Sequence, residues 1–108
     1  MVDNENIDIL GNMKVMESYK TYLLSAVADL YSTMSKGNKA DMEDILEELA
    51  DITMLSYLLG KRLGINYSTI DDSIVKKLRL GVLEENNIER DYQDYSKLIS
   101  YLKDGREI

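Results

Sequence analysis

Asp41-Met-Glu-Asp-Ile-Leu-Glu-Glu-Leu-Ala-Asp-Ile-Thr-Met-Leu-Ser-Tyr-Leu-Leu-Gly-Lys-Arg-Leu63 combines the clearest helical period of the chain with its densest cluster of acids. Ile45, Leu49, Ile52, Leu59 and Leu63 follow the three- and four-residue spacing that keeps side chains on one helix face, and that face is expected to be core. At about 100° per residue, Asp44, Glu47, Glu48 and Asp51 share a sector roughly 100° wide beside the apolar stripe. Leu55 and Leu58 occupy the same sector further along, so Glu48 and Asp51 are expected at the edge of a packed groove. Carboxylates crowded at such an edge repel, and a hard divalent cation, magnesium or manganese, relieves the repulsion. The helix dipole alone explains Asp41, Glu43 and Asp44 in the first turn. For Glu47, Glu48 and Asp51 the spacing leaves two readings open, a solvated face, slightly favoured, and a metal site.

The chain has 108 residues, enough for one domain with a single core. It contains no proline, tryptophan, phenylalanine, histidine or cysteine, and its periodic stretches are built from helix formers, so the expected class is all-α. The eight tyrosines and six methionines then serve as bulky core and interface residues beside Leu and Ile. Without cysteine there is no disulfide framework, thiolate zinc site or thiol nucleophile, and without histidine no Ser-His triad or imidazole ligand. Chemistry falls to carboxylates, hydroxyls, Lys and Arg. The acidic N-terminal stretch has no apolar run behind it and no stretch reaches the length of a membrane span, so a cytoplasmic protein is expected. Residues 1 to 51 hold 11 acids and 4 bases, and residues 52 to 108 hold 9 of each, which puts the whole charge of −7 in the first half. Duplex nucleic acid needs a basic face and is disfavoured as a partner; a nucleotide carried with a metal ion is not.

Residues 1 to 12 read as a short helix or docking arm interrupted by Gly11. From about Met13 a first long helix carries Met16, Leu23, Val27, Leu30 and Met34 until Gly37-Asn38 stops it, with Asn38 available to cap the acid-bearing helix of a tight hairpin. Gly64 is placed to end that second helix in the left-handed conformation. Ser68 and Asp71 form a capping-box pattern that starts a third helix near Thr69. Ile70, Ile74, Val75 and Leu78 face its core, and its dipole suffices to explain Lys76, Lys77 and Arg79 near the end. Gly81 weakens or ends it, Glu84 to Arg90 read as a polar connection, and a last helix runs from about Tyr92 to Lys103 with Gly105 as its stop.

Ile45-Leu-Glu-Glu-Leu-Ala-Asp-Ile52, followed by Leu63-Gly-Ile65 and Val75-Lys-Lys-Leu78, resembles the MazG-like branch of the all-α nucleoside triphosphate pyrophosphohydrolases over roughly residues 16 to 80. The resemblance implies a four-helix-bundle-like fold completed by oligomerisation, as a homodimer or homotetramer. In that family a Glu-Glu-x-x-Glu motif on the first hairpin helix joins a Glu-x-x-Asp on the second to hold the magnesium that grips the triphosphate. Glu48 and Asp51 match the second motif. In the first, Asp29 stands for the last glutamate, while Ser25 and Ala26 replace the leading pair, so at least one carboxylate ligand is missing. A lysine on the third helix, with an arginine soon after, holds phosphate oxygens in the family. Lys77 matches the lysine; Arg79 is only near the arginine position, which Leu80-Gly81 occupy.

The resemblance thus implies Asp29, Glu48 and Asp51 as metal ligands, with Glu47, Glu48 and Asp51 as the catalytic group and Glu47 or Glu48 as base. Lys77 and Arg79 would steady the phosphates during hydrolysis of a nucleoside triphosphate to monophosphate and pyrophosphate. The missing ligand gives an alternative that stands narrowly second, a catalytically inactive family relative acting as a nucleotide-binding or protein-interaction and regulatory subunit. A third reading is an unrelated acidic helical bundle that binds a protein partner and whose acid face serves solubility.

Overall fold

The computed structural model describes residues 2–84 and 87–104, with side chains described over 9–84 and 88–104. All regular structure there is helical: α1 (Val2–Met34), a 3-10 turn (Gly37–Lys39), α2 (Met42–Arg62), α3 (Tyr67–Leu83), α4 (Asn87–Tyr92) and α5 (Asp94–Lys103). The all-α expectation holds. Two compact units form, Met1–Ile65, in which α1 packs along α2, and Asn66–Ile108, in which α3 and α4 each pack on α5.

The expected hairpin is the first unit. α1 closes through the Ser35 and Lys36 N–H groups, and Gly37, at φ 61, then opens the 3-10 turn in the left-handed region where glycine carries no Cβ penalty. Asn38 falls inside the 3-10 turn, and Asp41 takes the capping role instead. Its backbone is extended and its carboxylate accepts a 2.9 Å hydrogen bond from the Glu43 N–H. The other end of α2 closes as a Schellman turn: Gly64 sits at φ 90, its N–H donates to the Lys61 carbonyl at 3.0 Å, and the Ile65 N–H reaches the Gly60 carbonyl at 2.8 Å.

Several boundaries depart from the sequence expectations. Gly11 does not interrupt α1, which runs unbroken from Val2. A mid-helix glycine costs only about 1 kcal/mol, and the following residue is tied down, since Asn12 Nδ2 donates to the Arg62 carbonyl at 3.0 Å. α3 begins at Tyr67 without the Ser68–Asp71 box, because the Schellman turn delivers an extended Asn66 directly before it, and the Thr69 and Ile70 N–H groups bond the Asn66 carbonyl. Gly81 is buried inside α3, which continues to Leu83. A short α4 occupies part of the expected polar connection, and left-handed Gln93, at φ 57, delays α5 to Asp94. Gly105, Glu85 and Asn86 lie outside the described residues.

Glu89 of α4 supplies the cap that Gln93 does not. Its carboxylate accepts from the Ser96 hydroxyl at 2.6 Å and from the Ser96 N–H at 3.0 Å, in the first turn of α5. These bonds favour the charged form, and the Ser96 hydroxyl foremost holds the Glu89 carboxyl below the ordinary glutamate range.

The hairpin core is narrow and sits one residue away from the expected stripe. On α1, Ala26 and Thr33 are buried while the expected Val27 and Met34 are exposed, and Met16, Leu23 and Leu30 are half-buried as expected. On α2, Leu55 and Gly60 are buried, Ile45, Glu48, Ile52 and Leu59 are half-buried, and Leu49 and the capping Leu63 are exposed. The two sets follow alternating steps of three and four, the seam of paired helices. Small Ala26 leaves room for Leu55, and this turns the contact face of α2 toward its acid sector.

Candidate functional site

Because the seam is turned that way, two acids of α2 lie at the helix contact, Glu48 within it and Asp51 on a groove at its edge. Asp29 of α1 and Asp51 of α2 line one groove, whose walls also include Tyr22, Ser25, Ala26 and Met54. Both carboxylates are exposed to solvent there. Glu48, three residues before Asp51, is drawn into the seam. Its Oε2 accepts a 2.8 Å hydrogen bond from the hydroxyl of buried Thr33, and its Oε1 is shielded from solvent with no hydrogen-bond partner. Glu47, about 100° further round the helix, is exposed.

Among the described residues, no three acids stand close enough together to hold a metal ion. Two carboxylates on one groove supply hard oxygen donors of the type magnesium and manganese take. A buried carboxylate oxygen without a partner is costly and is the kind of atom a cation would satisfy. The donor chemistry therefore fits a hard cation, while Glu48 is engaged by Thr33 and not gathered with the two aspartates. Ala26, where the resemblance would place a further ligand, contributes only a methyl group to the groove wall.

The expected phosphate-holding residues belong to the second unit. Lys77 is exposed on α3. Arg79 lines a different surface, the groove between α3 and α5, together with Lys76 and Lys103. Sequence reasoning missed Thr33. The available signal was its position seven residues after Ala26, on the same helix face as Met16, Leu23 and Leu30.

The described residues thus give an all-α chain that opens with an acid-bearing helical hairpin and continues into a helix with a basic run. The chain belongs to the MazG-like family, whose model matches residues 9–95. That match extends past the stretch from 16 to 80 that carries the motifs, and it spans both compact units. It removes the reading of an unrelated acidic bundle. No curated protein and no solved structure matches the chain.

Proposed function

We propose that this chain is a metal-dependent nucleotide pyrophosphohydrolase of the MazG-like type with weakened catalysis. The observation that carries the reading is the meeting of Asp29 and Asp51, from two helices, on one groove of the hairpin. Asp29 and Asp51 would hold magnesium or manganese, and Glu48 would complete the set by turning from Thr33 toward them. Such an ion, when bound, supplies charge neutralisation for phosphates and makes a water more acidic. Glu47 or Glu48 accepts the proton of the water that attacks the α-phosphorus of a nucleoside triphosphate. The α–β bridging bond breaks, leaving monophosphate and pyrophosphate. Lys77 offsets phosphate charge, whereas Arg79, which the resemblance also offered, lines the separate groove between α3 and α5. The chain works as a homodimer or homotetramer, since a two-helix groove cannot enclose a nucleotide alone.

The test is pyrophosphate release from nucleoside triphosphates with magnesium or manganese present. Slow release that Asp51→Asn abolishes supports the proposal, and no release from any of the common triphosphates overturns it.

A second reading, a relative that retains the groove but not the chemistry, is favoured by the absence of a three-acid cluster among the described residues and by Ala26 in the groove wall. Calorimetric titration separates the two. Metal-dependent nucleotide binding lost in Glu48→Ala belongs to the enzyme, and no metal binding belongs to the inactive relative.

A further inference from the structure

The groove between α3 and α5 lies wholly in the second unit and has a volume of about 460 Å³, within the range of small-ligand sites. Lys76 and Arg79 of α3 and Lys103 of α5 converge on it over an apolar floor of Val75, Leu80 and Leu102. None of these three cationic side chains makes a hydrogen bond or ion pair among the described residues. Asp72 precedes Lys76 by one turn, the spacing of a helical ion pair, yet the pair does not form. Helix dipole and solvation would account for scattered bases, with Lys103 in the last turn of α5. They do not account for three unpaired cations from two helices gathered around exposed hydrocarbon.

We infer that this groove binds an organic phosphate monoester, its dianionic head on Lys76, Arg79 and Lys103 and its apolar body on Val75, Leu80 and Leu102. Three cations match a dianion better than a carboxylate, and the planar guanidinium of Arg79 suits two phosphate oxygens at once. Asp71 and Asp72 also line the groove, two turns before Arg79. They repel a second anionic group and so orient a ligand with one charged end. The site needs no metal and uses none of the hairpin acids.

The probe is phenyl phosphate, titrated calorimetrically into the full chain with EDTA present, beside inorganic phosphate, phenol, and phosphatidylcholine vesicles doped with phosphatidic acid. The expected result is saturable binding of phenyl phosphate, tighter than either inorganic phosphate or phenol. Affinity should fall about tenfold or more in Lys76→Gln/Lys103→Gln, which removes exposed charges only and is checked for unchanged helicity. It should also fall as the pH drops below about 6, where the monoester loses its second charge. In Asp51→Asn, which disables the proposed metal site, binding should be unchanged. The inference is overturned by no binding at millimolar phenyl phosphate, by equal binding of inorganic phosphate or phenol, or by indifference to the double lysine variant. Loss in Asp51→Asn assigns the ligand to the hairpin groove, and binding of the vesicles alone assigns the cations to a lipid surface; both reject the site as stated.

Discussion

At position 48 the seam between α1 and α2 takes a carboxylate where its neighbours Ile45, Ile52 and Leu55 supply hydrocarbon. One oxygen is satisfied by Thr33 and the other is not, so this residue costs the fold something that binding could return. Glu48→Met replaces the charge with a flexible side chain suited to the gap. Thr33 can redirect its hydroxyl to the Asp29 carbonyl one turn back. The expected gain is about 1 kcal/mol in urea denaturation, with manganese affinity reduced in the same protein. A loss of stability would instead make the Thr33 bond a structural necessity. The opposite exchange is expected at Ala26. Ala26→Glu restores an acid to the groove wall and should tighten manganese binding, while crowding Leu55 at a cost of about 1 to 3 kcal/mol. Paired calorimetric and denaturation measurements would reveal both changes.

Helix ends in this chain rest on single residues. A Cβ at Gly64 would meet no neighbour within 4 Å, so the cost of Gly64→Ala is that of the backbone at φ 90 alone, about 1 to 2 kcal/mol in urea denaturation. The α4–α5 corner rests on Glu89. Its carboxyl is held below the ordinary range in the folded state, so the cap contributes fully above the ordinary glutamate pKa of about 4.3 and is lost as pH falls through the lowered folded value. The protection of the Ser96 amide against exchange, taken relative to an unstructured chain at the same pH, should therefore be high at neutral pH and fall on acidification. In Glu89→Ala it should be low at both. The Schellman turn was legible in Leu63-Gly-Ile65 because it depends on one glycine and its neighbours. Glu89 was not, because its partner lies seven residues away across left-handed Gln93, a conformation no composition rule assigns to glutamine. The seam was legible in period but not in phase. Periodicity finds an apolar stripe, whereas the fit of Leu55 against Ala26 decides which edge of it faces the partner helix. The expected meeting of Asp29, Glu48 and Asp51 rested on the resemblance and sector geometry alone; Asp29 and Asp51 line one groove, while Glu48 turns to Thr33 across the seam.

The hairpin buries few of its apolar side chains: Leu24, Tyr31 and Met34 on α1 and Met42 and Leu46 on α2 are each more than half exposed. Exposed hydrocarbon of this extent on two neighbouring helices is what the proposed homo-oligomer would cover, and a second copy of the hairpin would present matching apolar residues in return. A stable interface needs about 1,000 Å² or more of buried area. The difficulty is charge, since the first half of the chain carries 11 acids against 4 bases. Two hairpins meeting repel through water, over a range set by a Debye length of about 10 Å at 0.1 M salt. Added salt should thus strengthen the association, the reverse of what an interface held by ion pairs would do. Light scattering across a salt series is expected to give a mass that is a multiple of 12.4 kDa and that persists or grows as salt is raised. Leu24→Glu with Tyr31→Glu, two exposed positions that leave the seam untouched, should return the mass toward one chain and weaken nucleotide binding with it. A monomer at every salt and protein concentration would remove the oligomer from the proposed mechanism, and the two-helix groove would then have to hold its nucleotide unaided.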